Sequence, residues 1–374
     1  MNKTVVIIGP AHPLRGGLAS FNERLAKQFI LEKNNTSIFT FSLQYPNFLF
    51  PGTTQYSSEP EPKDLNITVN INSVNPFNWI KVGLQLKKLK PNIIVVRYWL
   101  PFMGPCLGTI LRIAKKNKIS KIICIADNII PHEKRPGDML FTKYFVKPID
   151  AFVTMSKKVQ EDLSQFSAKP VKQITHPLYD NFGDKILKTE ARKKLQLPLS
   201  EKIILFFGFI RKYKGLDLLL ESMAVPEIKN SNIKLLIAGE FYDDKEIYNT
   251  IIRENNLESQ LILHTDFIAD RDVKYYLSAC DFVIQPYKSA TQSGVTPLAY
   301  HFEKPMLVTN VGALPDLVPN EKVGLVCEPN AQEIAKTILR LYELGDEFFI
   351  PFIQQEKKKY TWNVLTETIN SLAQ

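Results

Sequence analysis

Residues 204–220 read ILFFGFIRKYKGLDLLL. An apolar run ends at Gly208, and an apolar helical pattern begins after Gly215. Between them Arg211, Lys212 and Lys214 crowd into four positions. A strand that is apolar throughout reads as buried on both faces, the state of a central strand in a parallel sheet. The stretch is therefore a strand–turn–helix unit whose turn concentrates positive charge. Converging cations disfavour one another unless an anion sits among them.

The same alternation extends in both directions. Upstream, strands are predicted at 4–9, 37–42, 67–71, 92–97, 121–126 and 150–155, with helices at 18–31, 77–89, 105–117 and 157–166. Downstream, strands are predicted at 202–208, 233–239, 261–265, 281–286 and 305–310, again with helices between them. Asn75-Pro76 supplies a capping side chain followed by a proline at the first helical position. Strands alternating with helices predict parallel sheets covered by helices. The fold class is α/β, with two Rossmann-like, doubly wound domains facing across a cleft. Residues 176–201 form the boundary, giving domains 1–180 and 181–355. The segment 356–374, with Trp362 after the run Lys357–Lys359, is expected to form a helix that packs back on the first domain.

The chain has 374 residues, of which 45% are hydrophobic and 23% charged, enough for two well-formed cores. No apolar run reaches the length of a membrane span. The start, MNKTVVIIGP, reads as a strand and not as a signal peptide. Cys106, Cys124, Cys280 and Cys327 have no paired spacing, which predicts reduced, buried thiols in a cytoplasmic protein. Residues 1–180 carry 24 Lys and Arg against 12 Asp and Glu, or +12, whereas the remainder carries 23 against 26, or −3. The basic half suits phosphorylated substrates or an anionic membrane surface. Zinc-finger spacing and aromatic–basic RNA-binding strands are absent, which opposes nucleic acid.

Three turns carry candidate chemistry, each after a strand. In GPAHPLRGGLASF (9–21), Gly16 and Gly17 precede a helix whose first N–H groups can meet an anion, with Arg15 adjacent. Their spacing from Gly9 does not fit G-x-G-x-x-G, which opposes a nicotinamide dinucleotide. In SATQSGVTPLAY (289–300), Ser293, Gly294 and Val295 open another helix and offer a second phosphate cradle. In the cationic turn, Arg211 and Lys214 are expected to neutralise a diphosphate, with Lys212 directed to solvent. Gly208, Thr291 and Gln292 lie beside these turns and complete the candidate anion-binding set. Asp270-Arg271-Asp272 and Asp243-Asp244 are read as helix starts, so no metal site is expected. His176 is read as structural. The aromatic loop 43–62, with Tyr45, Phe48, Phe50 and Tyr56, suits sugar faces or lipid headgroups equally well. Trp99, Phe102 and Met103, together with Lys115, Lys116 and Lys118, suggest a peripheral membrane contact, and a core helix end is the competing reading for these residues.

The segments RGGLASF, FFGFIRKYKGLDLLLESM, IAGE and KPMLVTNVGALPDLV resemble the GT-B-fold glycosyltransferases of family four (group 1 type). FSLQYPNFLFPGTTQ and NIIPHEKRPGD resemble a bacterial branch of that family. The resemblance implies a retaining, metal-independent enzyme that needs no cofactor besides its nucleotide diphosphate sugar. It further implies that the second domain binds this donor and the first a saccharide or lipid-linked saccharide acceptor, in cell-surface polysaccharide synthesis at the inner membrane face. By position, Gly16 would meet the donor phosphate and Lys214 would grip the diphosphate. The family arginine usually follows the strand glycine directly, where this chain has Phe209; Arg211 takes its role by proximity. Ala290 and Leu298 occupy the places of two family glutamates, with Thr291 or Gln292 as replacement hydrogen-bonding groups. Where relatives read HN, this chain reads Asp127-Asn128, and either His132 or Asp127 is expected at the reacting centre. The alternative is a catalytically inactive sugar-nucleotide-binding or scaffold protein on the same fold.

Overall fold

The computed structural model describes residues 2–46, 54–57, 59–131, 135–290 and 293–374. The chain forms two compact units, Met1–Pro177 with Thr361–Gln374, and Leu178–Tyr360. It thus passes from one to the other at 177 and returns at 361.

The first unit is built on the strands β1 (Thr4–Ile8), β2 (Asn35–Leu43), β3 (Ile67–Asn72), β4 (Ile93–Tyr98), β5 (Lys121–Ala126), β6 (Ala151–Thr154) and β7 (Val171–Gln173). Their order across the sheet is β3-β2-β1-β4-β5-β6-β7, with every neighbouring pair parallel. β4 is buried along its whole length, as its run IIVVRY demands. β3, at the edge, is mostly half-buried. Helices α1 (Gly17–Leu31), α2 (Pro76–Leu89) and α3 (Gly104–Lys115) cover the sheet. The Asn75 side chain accepts from the Phe77 and Asn78 amides, and Pro76 occupies the first turn, as the sequence indicates. α2 lies so close to α3 that a Cβ at Gly83 would come within 2.7 Å of the Ile113 Cβ.

The second unit holds β8 (Lys202–Phe207), β9 (Ile233–Ala238), β10 (Leu261–His264), β11 (Phe282–Gln285), β12 (Met306–Thr309) and β13 (Gly324–Cys327). Their order is β10-β9-β8-β11-β12-β13, again all parallel. Every strand predicted from the sequence is present, and the short edge strands β7 and β13 are additional. In each sheet the strand order reverses beside the first strand, at β1/β4 and at β8/β11. Open parallel sheets bind ligands outside the carboxyl ends of their strands at this kind of reversal. The glycine loop follows β1 and the cationic turn follows β8, so each motif sits at its own sheet's switch point.

The C-terminal helix Trp362–Leu372 packs within the first unit. Trp362 lies 4.8 Å from Phe21 between ring centroids and is buried. The Lys3 ammonium donates to Asn370 Oδ1 at 2.9 Å, and the Gln28 amide donates to Asn363 Oδ1 at 2.6 Å. Among the described residues no helix is long and apolar enough to cross a membrane.

Trp362→Ala should remove the aromatic anchor of this helix and lower stability by about 3–5 kcal/mol in urea denaturation. An unchanged midpoint and slope would show that the helix contributes nothing to the first unit.

Candidate active site

The cationic turn is shaped by glycines. Gly208 directly follows β8 at φ 92°, and its N–H donates to Ala238 O. A short ladder then continues: Ile210 N–H donates to Glu240 O, and Tyr242 N–H to Ile210 O. Gly215 closes the turn at φ 70°, where a Cβ would stand 1.9 Å from Pro286 O. The turn Lys212–Lys214 is thereby pressed against the end of β11. Lys288 N–H donates to Tyr213 O, and the Lys288 ammonium pairs with Asp217. Asp243 accepts from the Lys212 amide and so ties down the backbone of the turn.

The three cations have different surroundings. Lys212 is exposed, Arg211 is half-buried with its guanidinium 5.1 Å from the Tyr242 ring centre, and Lys214 is buried. A Cβ at Gly208 would lie 3.2 Å from Lys214 Nζ. Among the described residues no carboxylate pairs with that ammonium, although Tyr287 offers a ring at 5.9 Å. Burial, and secondarily the charge of Arg211, pushes the Lys214 pKa down to about 8. Phe209, standing where the family resemblance places an arginine, packs 4.4 Å from Tyr242 and 6.3 Å from Phe267.

The neighbouring loop is held by Gln285, a residue the sequence reading did not single out. Its amide oxygen accepts from Ser293 Oγ at 2.6 Å and from Thr296 Oγ1 at 3.0 Å. The Val295 amide, expected to face a ligand, donates instead to Ser293 Oγ at 3.1 Å. Ser293 is buried and braces the loop, and Gly294 precedes the short helix Val295–His301. Ala290 and Leu298 are buried apolar positions. Thr291 and Gln292 lie outside the described residues. Asp270–Asp272 is a 3-10 turn before the helix Val273–Ala279, so the helix-start position falls on Asp272 and not on Asp270. Asp244 accepts from the Glu246 amide at the start of Glu246–Asn255. Among the described residues no group of His, Cys, Asp and Glu could hold a metal.

In the first unit, Gly16 adopts φ 101° as the residue before α1, and Gly17 is the first helical residue. The loop leading to them is laced down: Ala11 N–H donates to Thr40 Oγ1, His12 N–H to Glu23, and Arg15 N–H to Gln55 O. Gly9 permits close packing, since a Cβ there would meet Asn22 Nδ2 at 2.6 Å.

The end of β5 gives Asp127 a partner that the sequence reading did not single out. Both of its carboxylate oxygens accept from Arg97 at 2.6 Å, and both side chains are buried. Adjacent parallel strands make the pair, since Arg97 is in β4 and Asp127 follows β5. The guanidinium also lies 3.8 Å over the Phe21 ring. The buried bidentate pair braces the ends of the two strands against each other. Arg97 was visible as the single charge in NIIVVRYW. His176 packs edge-on against Phe21, and its Nδ1 lies 2.7 Å from Pro177 O. Burial above all, opposed by that backbone contact, pushes its pKa down to about 3, so it is neutral at pH 7. His132 lies outside the described residues.

The expected acceptor and membrane side also changes. Trp99 donates through Nε1 to Tyr45 Oη at 2.6 Å, and both pack half-buried against the core with Phe102. Met103 is fully buried, and Lys115 is tied to Asp150 and Pro148 O. These apolar groups turn inward because β4 leads directly into α3, whose buried face continues the core. Phe48 lies outside the described residues.

Residues 188–357 match the family described as glycosyl transferases group 1. An uncharacterized glycosyltransferase of Methanocaldococcus jannaschii is 25% identical over 329 residues, covering 82% of this chain and 84% of the relative. The lipopolysaccharide core biosynthesis mannosyltransferase of Rhizobium meliloti is 26% identical over 191 residues, covering 50% of this chain and 53% of that protein. Among solved structures, HepE of Anabaena in complex with UDP and glucose matches with a TM-score of 0.74, covering 99% of each chain at 13% identity, a likeness of fold.

Asp127→Asn should leave the Arg97 guanidinium buried and uncompensated, lowering stability by about 3–5 kcal/mol in chemical denaturation. Lost turnover at unchanged stability would instead return Asp127 to the reacting centre.

Proposed function

We propose that this chain is a group 1 glycosyltransferase, the family that its residues 188–357 match, and that it moves a sugar from a nucleotide diphosphate sugar to a saccharide or lipid-linked saccharide. One observation carries this reading: the buried Lys214 ammonium, unmatched by any described carboxylate, at the switch point of the second sheet. A diphosphate supplies the missing negative charge. Arg211 adds a second cation, and the aromatic shelf of Phe209, Tyr242 and Phe267 offers apolar surface beside it for a base or sugar. The Anabaena structure was determined with UDP and glucose, so a uridine diphosphate sugar is the first donor to try. The Rhizobium relative's part in lipopolysaccharide synthesis supports a cell-surface saccharide as product.

In the proposed reaction the bond from the anomeric carbon to the diphosphate oxygen breaks, and its electron pair stays on the diphosphate. Arg211 and Lys214 stabilise that growing charge, in place of a metal. The acceptor hydroxyl oxygen bonds to the anomeric carbon from the same face, with retention, and its proton passes to the departing phosphate oxygen. The protein supplies no nucleophile.

A second reading has its own observation. Ala290 and Leu298 are buried and apolar where the family pattern has carboxylates, which suits a protein that binds sugar nucleotides without turnover. Transfer and hydrolysis assays over a panel of labelled sugar nucleotides separate the two: binding without product with every donor and acceptor tried would favour the second.

Lys214→Ala should lower kcat by about 10²–10³-fold, the usual cost of one preorganised donor to a developing anion; unaltered turnover would refute its role. Nucleotide diphosphate affinity should also depend on pH. Above the ligand-free Lys214 pKa of about 8, binding must take up a proton. Affinity should therefore be level from pH 7 to 7.5 and fall by up to about tenfold per pH unit above 8. Lys214→Arg should flatten that decline, and a parent profile level to pH 9.5 would contradict the assignment.

A further inference from the structure

Helix α2 carries an apolar stripe that the first unit leaves uncovered. Phe77 is 84% exposed, Ile80 46% and Leu84 52%. Their spacing of three, four and seven residues sets them on one side of the helix. Val82, Gly83 and Leu86 occupy the opposite side and are buried. Val74, just before the cap, and Leu89, at the last turn, are exposed as well.

Charge is distributed along this helix in one sign only. From Pro76 to Lys90 the sequence contains Lys81, Lys87, Lys88 and Lys90 and no Asp or Glu. Lys81 and Lys88 share the stripe's side by spacing, being four and eleven residues after Phe77. Among the described residues none of the four lysines forms an ion pair, in contrast with Lys27 on Asp64 and Lys115 on Asp150. The unit as a whole holds 24 Lys and Arg against 12 Asp and Glu, while the other unit is net acidic. An exposed row of large apolar side chains normally marks an interaction surface. Unpaired lysines beside it select a partner that is apolar below and anionic at its boundary. A bilayer with anionic headgroups has that profile. At 14 residues α2 is too short to span and suits lying in the interface.

We propose that α2 seats the first unit on an anionic membrane surface, with Phe77, Ile80 and Leu84 entering the interface and the α2 lysines meeting lipid phosphates. The proposal stands apart from the transferase reading, because no residue of the cationic turn takes part. It also moves the membrane contact from the inward-packed Trp99, Phe102 and Met103 to a face that is exposed.

The test is co-sedimentation of the full chain with vesicles of equimolar phosphatidylcholine and phosphatidylglycerol, against phosphatidylcholine alone. The parent chain should bind the anionic vesicles, bind the neutral ones far less, and be released by high salt. Phe77→Ser with Leu84→Ser should lower partitioning by about tenfold or more, since both side chains leave the interface. Lys81→Ala with Lys88→Ala should lower it on the order of twentyfold, about fivefold for each lysine. Lys336→Glu, an exposed change in the second unit, should have no effect. All four lysine and serine positions are exposed, so thermal unfolding should be unaltered, and the lysine pair carries the test if the serine pair fails to fold. The proposal is overturned if the parent ignores anionic vesicles, binds neutral ones equally, or binds undiminished after the α2 changes. A self-associated species in sedimentation velocity that Phe77→Ser dissolves would overturn it too, by assigning the stripe to a second copy of the chain.

Discussion

An ammonium group stripped of most of its water must find compensating charge or give up its proton, and Lys214 is placed where that choice is close. Gly208 and Gly215, both at positive φ, bend the chain tightly enough to bring the lysine over the end of β8. A side chain at either position would be strained, and at Gly215 it would collide with Pro286 O. Arg211 pushes in the same direction as burial, against the charged form. Stability alone gives no reason to build this arrangement, since an apolar residue would fill the space without the desolvation penalty. A ligand that brings negative charge reverses the balance, because the desolvation has already been met in the folded state.

The surrounding structure serves to keep that cation in place. Asp243 fixes the backbone of Lys212, Lys288 and Asp217 join the loop after β11 to the helix after the turn, and Gln285 gathers the Ser293 and Thr296 hydroxyls. Each bond comes from a residue at the carboxyl end of a strand or just beyond it. Parallel strands in register deliver such residues to a common edge, which explains how positions far apart in sequence reach one turn. The first unit uses the same geometry differently. There the ends of β4 and β5 bring Arg97 and Asp127 into a buried bidentate pair under Phe21.

Much of this was legible from residues alone. Central strands are buried on both faces, so their apolar runs stand out, and β1, β4, β5, β8 and β9 are found where the runs are. β7 and β13 escaped notice because short edge strands carry little pattern: VKQ is largely exposed, and GLVC begins with a glycine packed on Met306 O. Cations in a turn after a strand are conspicuous, whereas their degree of burial depends on packing that no local pattern reports. Lys212 is exposed, as the sequence reading expects, whereas the burial of Lys214 comes from packing against the end of β11. Partner choice was equally hidden: Asp127 was visible as a carboxylate after a strand, but its match with Arg97 needs the register of β4 beside β5. Trp99 and Met103 misled for a related reason, since aromatic and apolar residues at a strand end look alike whether they face the core or the outside. The exposed face of α2 was obscured because its apolar content resembled an ordinary core-facing helix.

The most direct measurement is the protonation of Lys214 itself, followed by NMR on protein with carbon-13 at the lysine Cε and assigned through Lys214→Arg. Without ligand the signal should titrate near pH 8, and saturating pyrophosphate should move it upward towards the ordinary lysine value of 10.5. A titration near 10.5 in the ligand-free protein, or a low value that pyrophosphate leaves untouched, would contradict the account.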